Sequence, residues 1–220
     1  MILRADNPVL AAAVTIHPKM VKSPLEVRIF KPVSFNSKMG AGNDIIVKGK
    51  WRGLPMFQMS LQERATCPTS CKQWASCYGN NMCGAHRIDH NNPHFISQLG
   101  KELYALGQRH RYGFVIRPHV LGDFFSVGYA SWWEDKLDAI KHMRLFGFTH
   151  WERASPIGQI ILRMNENERC WIRFSDQGGE MSANVEGEGI PCPQQTGKTE
   201  SCLTCGVCWG TKKAVSFRRH

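Results

Sequence analysis

The sequence alternates between helix-like and strand-like patterns through its central part, and this alternation limits the fold more than any other feature. Apolar side chains at helical spacing predict three helices, and shorter apolar runs between them predict three strands. The predicted helices cover residues 92–109, 127–146 and 156–165. The predicted strands cover residues 114–120, 148–151 and 170–175. Such alternation is typical of βαβ units with parallel strands.

Further strands are predicted on both sides of this region. Residues 27–35 and 45–51 flank a Gly/Ser/Asn-rich turn and predict an N-terminal β-hairpin. Residues 54–61 predict the first strand of the sheet, and residues 214–217 predict a strand that closes it. There are too few units for an eight-fold barrel. We therefore expect an α/β fold, an open or partial (β/α) barrel with parallel strands.

The same patterns divide the chain into three parts. Residues 1–53 form an N-terminal β-rich segment, residues 54–190 form the α/β core, and residues 191–220 form a cysteine-rich metal-binding segment with a basic tail. Composition supports a globular protein, with 42% hydrophobic and 21% charged residues. No apolar run approaches the roughly 18 residues of a membrane span. We expect no signal peptide, no membrane association and a cytoplasmic location.

The formal net charge is +10 at pH 7. A strongly basic protein favours a polyanionic partner, and nucleic acid or a nucleotide is the first candidate. A merely soluble basic protein is the alternative. Charge alone does not decide between them.

The first cysteine group is Cys67-x3-Cys71-x5-Cys77, followed by Cys83. Three thiolates on one loop can reach a single ion or cluster, and sulfur ligands favour zinc or iron–sulfur chemistry. In a reducing compartment, clustered cysteines more often bind metal than form disulfides. The alternative is three free thiols spaced by chance, and Cys83 is either a fourth ligand or a bystander.

The second cysteine group lies near the C-terminus and has a tighter spacing. Its ligand candidates are Cys192, Cys202, Cys205 and Cys208. Four sulfurs complete either a tetrahedral zinc site or a four-iron cluster, and the C-x2-C-x2-C core lets neighbouring thiolates converge. A purely structural zinc site is an equally good interpretation. We expect Cys170, within a strand, to lie in the core.

Polar residues follow the predicted strands where parallel sheets gather their functional groups. Three of these residues are candidate catalytic groups: His119, Asp123 and Asp176. Asp123 can act as a base or nucleophile, although Asp123 or Ser126 can instead cap the following helix. His119 can instead be an oriented structural histidine. Four further residues are candidates for cofactor binding: Tyr78, Arg153, Arg173 and Ser175. Either arginine can hold a phosphate or carboxylate, or pair with a local acid.

Four blocks of the sequence together resemble a bacteriophage family, the gene product 88-like proteins. The blocks are L-Q-E-R-A-T-C-P-T-S-C-K-Q-W-A-S-C-Y-G-N-N-M, H-V-L-G-D-F-F-S, C-W-I-R-F-S-D and C-P-Q-Q-T-G-K-T-E-S-C-L-T-C-G-V-C-W. The resemblance runs from about Leu54 to the C-terminus. It implies a phage or prophage origin and the cytoplasm of an infected host cell.

The first cysteine group is also similar to a more distant motif. Cys67, Cys71 and Cys77 followed by Tyr78 look like a loosened form of the radical S-adenosylmethionine motif, C-x3-C-x2-C plus an aromatic residue. The second gap here is five residues instead of two. This resemblance implies a [4Fe–4S] cluster with one open iron and S-adenosylmethionine as a cofactor.

Three functional hypotheses follow from these observations. The first is an iron–sulfur enzyme of radical S-adenosylmethionine type that acts on a nucleotide, a nucleic-acid base or a related small molecule. The second is a zinc-containing deazaguanine transglycosylase on DNA or tRNA, with Asp123 as nucleophile. The third is a non-catalytic zinc-bound nucleic-acid-binding protein.

Overall fold

A computed structural model describes residues 1–219 of the chain. The strands are β1 (Val21–Lys22), β2 (Lys31–Pro32), β3 (Met56–Gln58), β4 (Arg87–Ile88), β5 (Phe114–Arg117), β6 (Met143–Thr149), β7 (Cys170–Ser175), β8 (Ser182–Val185), β9 (Ile190–Pro191) and β10 (Val215–Phe217). The α-helices are α1 (Pro8–Ala11), α2 (Phe95–Arg109), α3 (Val127–Ala139), α4 (Pro156–Glu166), α5 (Cys202–Cys205) and α6 (Val207–Gly210). No helix in this part of the chain is long and apolar enough to span a membrane.

Eight strands form one sheet in the order β2-β3-β5-β6-β7-β8-β10-β9. Only the β2–β3 pair is antiparallel, and the other six pairs are parallel. The prediction of a mixed α/β fold with a mainly parallel sheet is confirmed. The sheet is open, with β2 and β9 at its edges, and no closed barrel forms within residues 1–219.

The predicted N-terminal hairpin differs from the structure. β2 pairs with β3, and not with residues 45–51. In that segment only Ile45 forms a bridge, to Pro55. Residues 36–54 instead run across one face of the sheet, where Ile46 and Trp51 are buried. Burial of their side chains therefore takes precedence over local strand pairing.

The predicted helix over residues 127–146 is too long. α3 ends at Ala139, and β6 begins at Met143 and pairs with both β5 and β7. Two ladders of backbone hydrogen bonds satisfy this segment better than a longer helix would. Residues 148 and 149 of the strand predicted at 148–151 are therefore the end of β6.

Different layers cover the two faces of the sheet. α2, α3 and α4 pack on one face, where Leu99, Trp133 and Ile161 are fully buried. The other face is covered by residues 33–54 together with α5 and α6, which bury Trp51, Leu203 and Trp209. Segments from both ends of the chain therefore share one core.

The carboxyl ends of the parallel strands lie at one edge of the sheet, called here the carboxyl edge. Most of the predicted site residues follow directly from strands at this edge. The first cysteine group follows β3, Asp123 follows β5, Asp176 follows β7 and Cys192 follows β9. Strand direction thus brings distant polar and sulfur residues to one side of the molecule.

Candidate functional site

The first cysteine group lies on a loop of successive tight turns, residues 59–86, called here the cysteine loop. Cys67 N–H donates to the Arg64 carbonyl at 3.1 Å, and Cys71 N–H donates to the Pro68 carbonyl at 3.0 Å. The Cys77 carbonyl accepts from Asn80 N–H at 2.9 Å. Each turn bends the loop back on itself. All nine cysteines, which lie within residues 1–219, are free thiols.

The three thiols of the cysteine loop interact with one another and with nearby carboxylates. Burial raises the pKa of Cys67 well above its usual value, and Asp123, Cys71 and Cys77 raise it further. Burial likewise raises the pKa of Cys71 to about 12, with smaller contributions from Cys77, Asp123 and Asp176. Each thiol that loses its proton therefore makes deprotonation of the next thiol less favourable. A bound cation relieves this repulsion, because metal binding releases the thiol protons.

The thiols are neighbours but do not converge on one point. Among residues 1–219, no three His, Cys, Asp or Glu side chains are arranged to hold a single metal ion. An iron–sulfur cluster separates its ligand sulfurs more widely than a single ion does. The donor set, which consists only of sulfur, matches the chemistry of such a cluster or of zinc.

The buried side chain of Arg87 holds the second half of the cysteine loop in place. Arg87 and Glu63 form a fully buried ion pair with an N–O distance of 2.8 Å. The Arg87 guanidinium also donates to the carbonyls of Gly79, Met82 and Ala85. Thr15 Oγ1 donates to the other Glu63 oxygen at 2.7 Å. The ion pair therefore fixes the second half of the loop to the N-terminal segment.

Arg64 supports the middle of the same loop. Its guanidinium donates to the carbonyls of Trp74 and Val14 and to Asn80 Oδ1. Sequence reasoning missed Glu63, Arg64 and Arg87. The adjacent charges of Glu63 and Arg64, shortly before Cys67, were visible in the sequence, but nothing in the sequence showed that these side chains are buried.

Asp123 connects the cysteine loop to the sheet. Its carboxylate accepts from Phe124 N–H at 2.8 Å, Thr149 Oγ1 at 2.9 Å and His150 N–H at 2.7 Å. Burial raises the pKa of this carboxyl to about 7, and the three hydrogen bonds oppose that rise. The backbone N–H of Asp123 donates to Thr66 Oγ1 at 3.2 Å. Ser126, not Asp123, caps α3.

Gly122 makes the close approach of these segments possible. Its φ is 83°, and a Cβ there would overlap Thr66 Oγ1 and approach Leu61. Gly53 has a similar φ of 87° but open space around it.

We expect Gly53→Ala to lower the free energy of unfolding by about 1 kcal/mol, the cost of the left-handed conformation alone. Gly122→Ala should lower it by about 1–3 kcal/mol more, because the new methyl group is overpacked. Urea unfolding of both variants measures the difference. Equal losses would show that the loop does not pack closely on Gly122.

Asp176 lies at the end of β7 in a left-handed conformation with φ 56°. Its Oδ1 accepts from Val185 N–H at 2.7 Å, whereas Oδ2 is buried without a hydrogen-bond partner. Asp176 faces a cleft of about 420 Å³ beside the cysteine loop, called here the β7–β8 cleft. The other charged residues that line it are Lys72, Glu188 and Arg219. The cleft therefore presents both signs of charge.

Three other predicted residues, Ser175, Tyr78 and Arg153, lie near the cysteine loop or the β7–β8 cleft. Ser175 ends β7 and pairs with Ala183 of β8. Burial raises the pKa of Tyr78 to about 12, with Arg117 opposing the rise and Cys77 and Cys67 adding to it. Tyr78 therefore lies close to the cysteine loop thiols. Arg153 stacks on Phe174 and donates to the carbonyls of Gly178 and Glu180.

His119 and Arg173 do not fit their predicted roles. His119 is buried against Phe124 and Tyr129, and burial lowers its pKa to about 3. Arg173 is fully buried, and its guanidinium donates to four backbone carbonyls, those of Cys208, Thr211, Ser182 and Lys213. Its side chain points to the face of the sheet and not to the carboxyl edge. We therefore remove both residues from the candidate site.

The second cysteine group packs against the sheet face opposite the long helices. α5 and α6 meet at Gly206, whose φ of 73° turns the chain back between Cys205 and Cys208. Burial raises the pKa of Cys202 to about 11, with Arg117 opposing the rise and Cys192 and Cys205 adding to it. Burial raises the pKa of Cys208 as well, and Cys202, Cys192 and Cys205 raise it further, so the four thiols lie in one neighbourhood. Arg173 supports this group as Arg87 supports the first.

Comparisons with known proteins add no identification. No family model matches the chain, and no curated protein or solved structure is significantly similar to it. The resemblances to the phage family and to radical S-adenosylmethionine enzymes therefore stay predictions.

Proposed function

We propose that the protein holds an iron–sulfur cluster through Cys67, Cys71 and Cys77 and modifies a nucleotide or nucleic-acid base with it. The observation that carries this proposal is the position of three neighbouring thiols at the carboxyl edge of a parallel sheet. Two arginines fix their loop, and a cleft with both signs of charge lies beside it. The three thiols are also partly buried, which limits the access of water to a cluster.

The chain's own residues prepare this site in three ways. Asp123 ties the ends of β5 and β6 together beneath the loop. Asp176, whose Oδ2 is buried without a hydrogen-bond partner, places a carboxylate in the wall of the β7–β8 cleft. Lys72 and Arg219 offer positive charge in the same cleft, which suits the zwitterionic amino-acid part of S-adenosylmethionine. When bound and reduced by an external one-electron donor, the cluster would supply the electron that splits a carbon–sulfur bond of that cofactor into methionine and a carbon radical.

The second cysteine group then holds an auxiliary cluster or a zinc ion through Cys192, Cys202, Cys205 and Cys208. The transglycosylase hypothesis is less well supported, because the Asp123 carboxylate is 1% exposed and accepts three hydrogen bonds from its own chain. A nucleophile needs a free lone pair directed at its substrate. Asp123 therefore suits a positioning role.

The proposal is tested by iron and sulfide analysis of anaerobically purified protein. We expect the wild-type protein to absorb broadly near about 400 nm, as iron–sulfur clusters do. Cys71→Ser should lose the iron of the first group and the reductive cleavage of S-adenosylmethionine. Cys83→Ser is the matched control, because Cys83 lies on the same loop but is exposed.

The control also decides how many ligands hold the cluster. Full iron content and cleavage in Cys83→Ser support three ligands and one open iron. Loss of iron in Cys83→Ser would mean four protein ligands and would contradict the open site. Colourless wild-type protein that contains only zinc would refute the proposal.

A further inference from the structure

A second cleft lies on the other side of the cysteine loop, between that loop and the edge strand β2. We call it the edge cleft, and its volume is about 290 Å³. Its polar and charged lining residues include Arg28, Lys31, Asn36, Gln58, Ser60 and His86. Met82 and Ala85 of the cysteine loop form its opposite wall. The edge cleft thus adjoins the proposed metal site without being part of it.

The charge in the edge cleft is entirely positive. No Asp or Glu lines it, and within residues 1–219 no carboxylate lies within ion-pair distance of Arg28 or Lys31. Lys31 Nζ lies 3.1 Å from His86 Nδ1. Burial lowers the pKa of His86, and repulsion from Lys31 and Lys22 lowers it further. An anion bound here would balance the positive charges of Arg28 and Lys31.

An aromatic ring stands at the same cleft. Phe35 lines the edge cleft and is 82% exposed. It ends the 3-10 turn Val33–Phe35, and the N–H of Asn36, the next residue, donates to the Val33 carbonyl at 2.8 Å. Asn36 Nδ2 donates to Gln58 Oε1 of β3 at 3.2 Å. The Phe35 ring is therefore exposed on a turn that these hydrogen bonds fix to β3.

We infer that the edge cleft binds single-stranded nucleic acid, with phosphate against Lys31 and Arg28 and a base stacked on Phe35. Cations beside an exposed aromatic ring are the combination by which proteins bind single strands. The amides of Asn36 and Gln58 and the hydroxyl of Ser60 add hydrogen-bonding groups for a base edge. This inference rests on the proposed function for one point only, the use of a nucleic acid as substrate.

A single strand fits the edge cleft better than a duplex or an acidic peptide. The bases of a duplex are stacked on one another and offer no free face to Phe35. An acidic peptide satisfies the cations but leaves the ring without a planar partner. The bound strand would pass beside Met82 and Ala85 of the cysteine loop.

The inference is tested by fluorescence anisotropy with a labelled single strand of about twelve nucleotides, within the usual site size. We expect Phe35→Ala to weaken binding roughly tenfold, and Phe35→Leu to weaken it nearly as much because it lacks a ring. Lys31→Gln should reduce the salt dependence of log K by about one phosphate contact. Thermal melting confirms that each variant is folded.

The matched controls are another aromatic residue and another lysine at exposed positions outside the edge cleft. Tyr112 is 99% exposed and Lys141 is exposed, and neither lines the edge cleft. Tyr112→Ala and Lys141→Gln should bind within about twofold of wild type, as expected for surface positions outside a site. Equal binding by wild type and Phe35→Ala would overturn the inference. So would tighter binding of the matching duplex, or full competition by polyglutamate.

Iron content, measured on the same samples, separates this inference from the proposed function. Protein without iron that still loses single-strand binding in Phe35→Ala supports the edge cleft and refutes the cluster. Iron-loaded protein that binds no single strand refutes the edge cleft alone.

Discussion

Glu63→Ala should lower the free energy of unfolding by about 3–5 kcal/mol, because it leaves the Arg87 guanidinium charged and buried. Both side chains of this ion pair are almost completely inaccessible, at 0% and 1% exposure. Thr15 also loses its acceptor. Urea unfolding at neutral pH measures the effect.

Glu134→Ala is the matched control for this variant. Glu134 pairs with Arg163 at 3.0 Å, but both side chains are partly exposed. Water replaces that contact, so stability should change little. A Glu63→Ala loss no larger than that of Glu134→Ala would show that the buried pair does not hold the structure together.

The double variant Glu63→Ala, Arg87→Met tests how the pair acts. Removing both charges should recover part of the lost stability, since no unpaired charge stays buried. Recovery should be incomplete, because the carbonyls of Gly79, Met82 and Ala85 lose their donor. These carbonyls belong to the cysteine loop. Iron content should therefore stay low even where stability returns.

Cys205→Ser should remove the metal of the second cysteine group and release the C-terminal segment from the sheet. Structural metal sites contribute on the order of 10 kcal/mol to the folding of small segments. Leu203 and Trp209, which α5 and α6 bury against Trp51 and Phe146, would then be exposed. Hydrogen exchange at the Cys202, Leu203 and Gly206 amides, which are hydrogen-bonded in the structure, should accelerate at least about a hundredfold.

Cys170→Ala separates the loss of a thiol from the loss of a metal. Cys170 is buried in β7. Its replacement should reduce stability moderately, leave the metal content unchanged and leave the α5 amides protected. Unchanged protection of those amides in Cys205→Ser would contradict a metal site in the second cysteine group.

The sequence pattern predicted most strands of the sheet. It misplaced the elements whose boundaries depend on tertiary contacts. Residues 170–175 and the helices near 92–109 and 156–165 agree closely with β7, α2 and α4. The helix predicted over 127–146 was too long because Ile140 and Arg144 continue its spacing. Their segment enters the sheet between β5 and β7, and local periodicity does not record this pairing.

In the candidate site, too, the sequence predicts features formed by nearby residues and misses contacts between distant ones. The two cysteine groups are visible in the sequence because each is nearly continuous. The buried contacts that hold the first group in place are not visible in the sequence, because Glu63 contacts Arg87 and Thr15 only in the folded chain. Arg173 was misread because a strand alternates its side chains between two faces, so that a residue near a strand end need not face the edge. The sequence did not predict Phe35 or Lys31 as site residues, because the exposure of a ring and the absence of a counter-charge are properties of the fold.

Anomalous X-ray diffraction at the iron edge, from crystals grown without oxygen, tests the proposed cluster most directly. We predict a strong iron peak within bonding distance of the sulfurs of Cys67, Cys71 and Cys77, beside the β7–β8 cleft. A zinc peak at that place, or the three sulfurs apart and without any metal, would contradict the proposal.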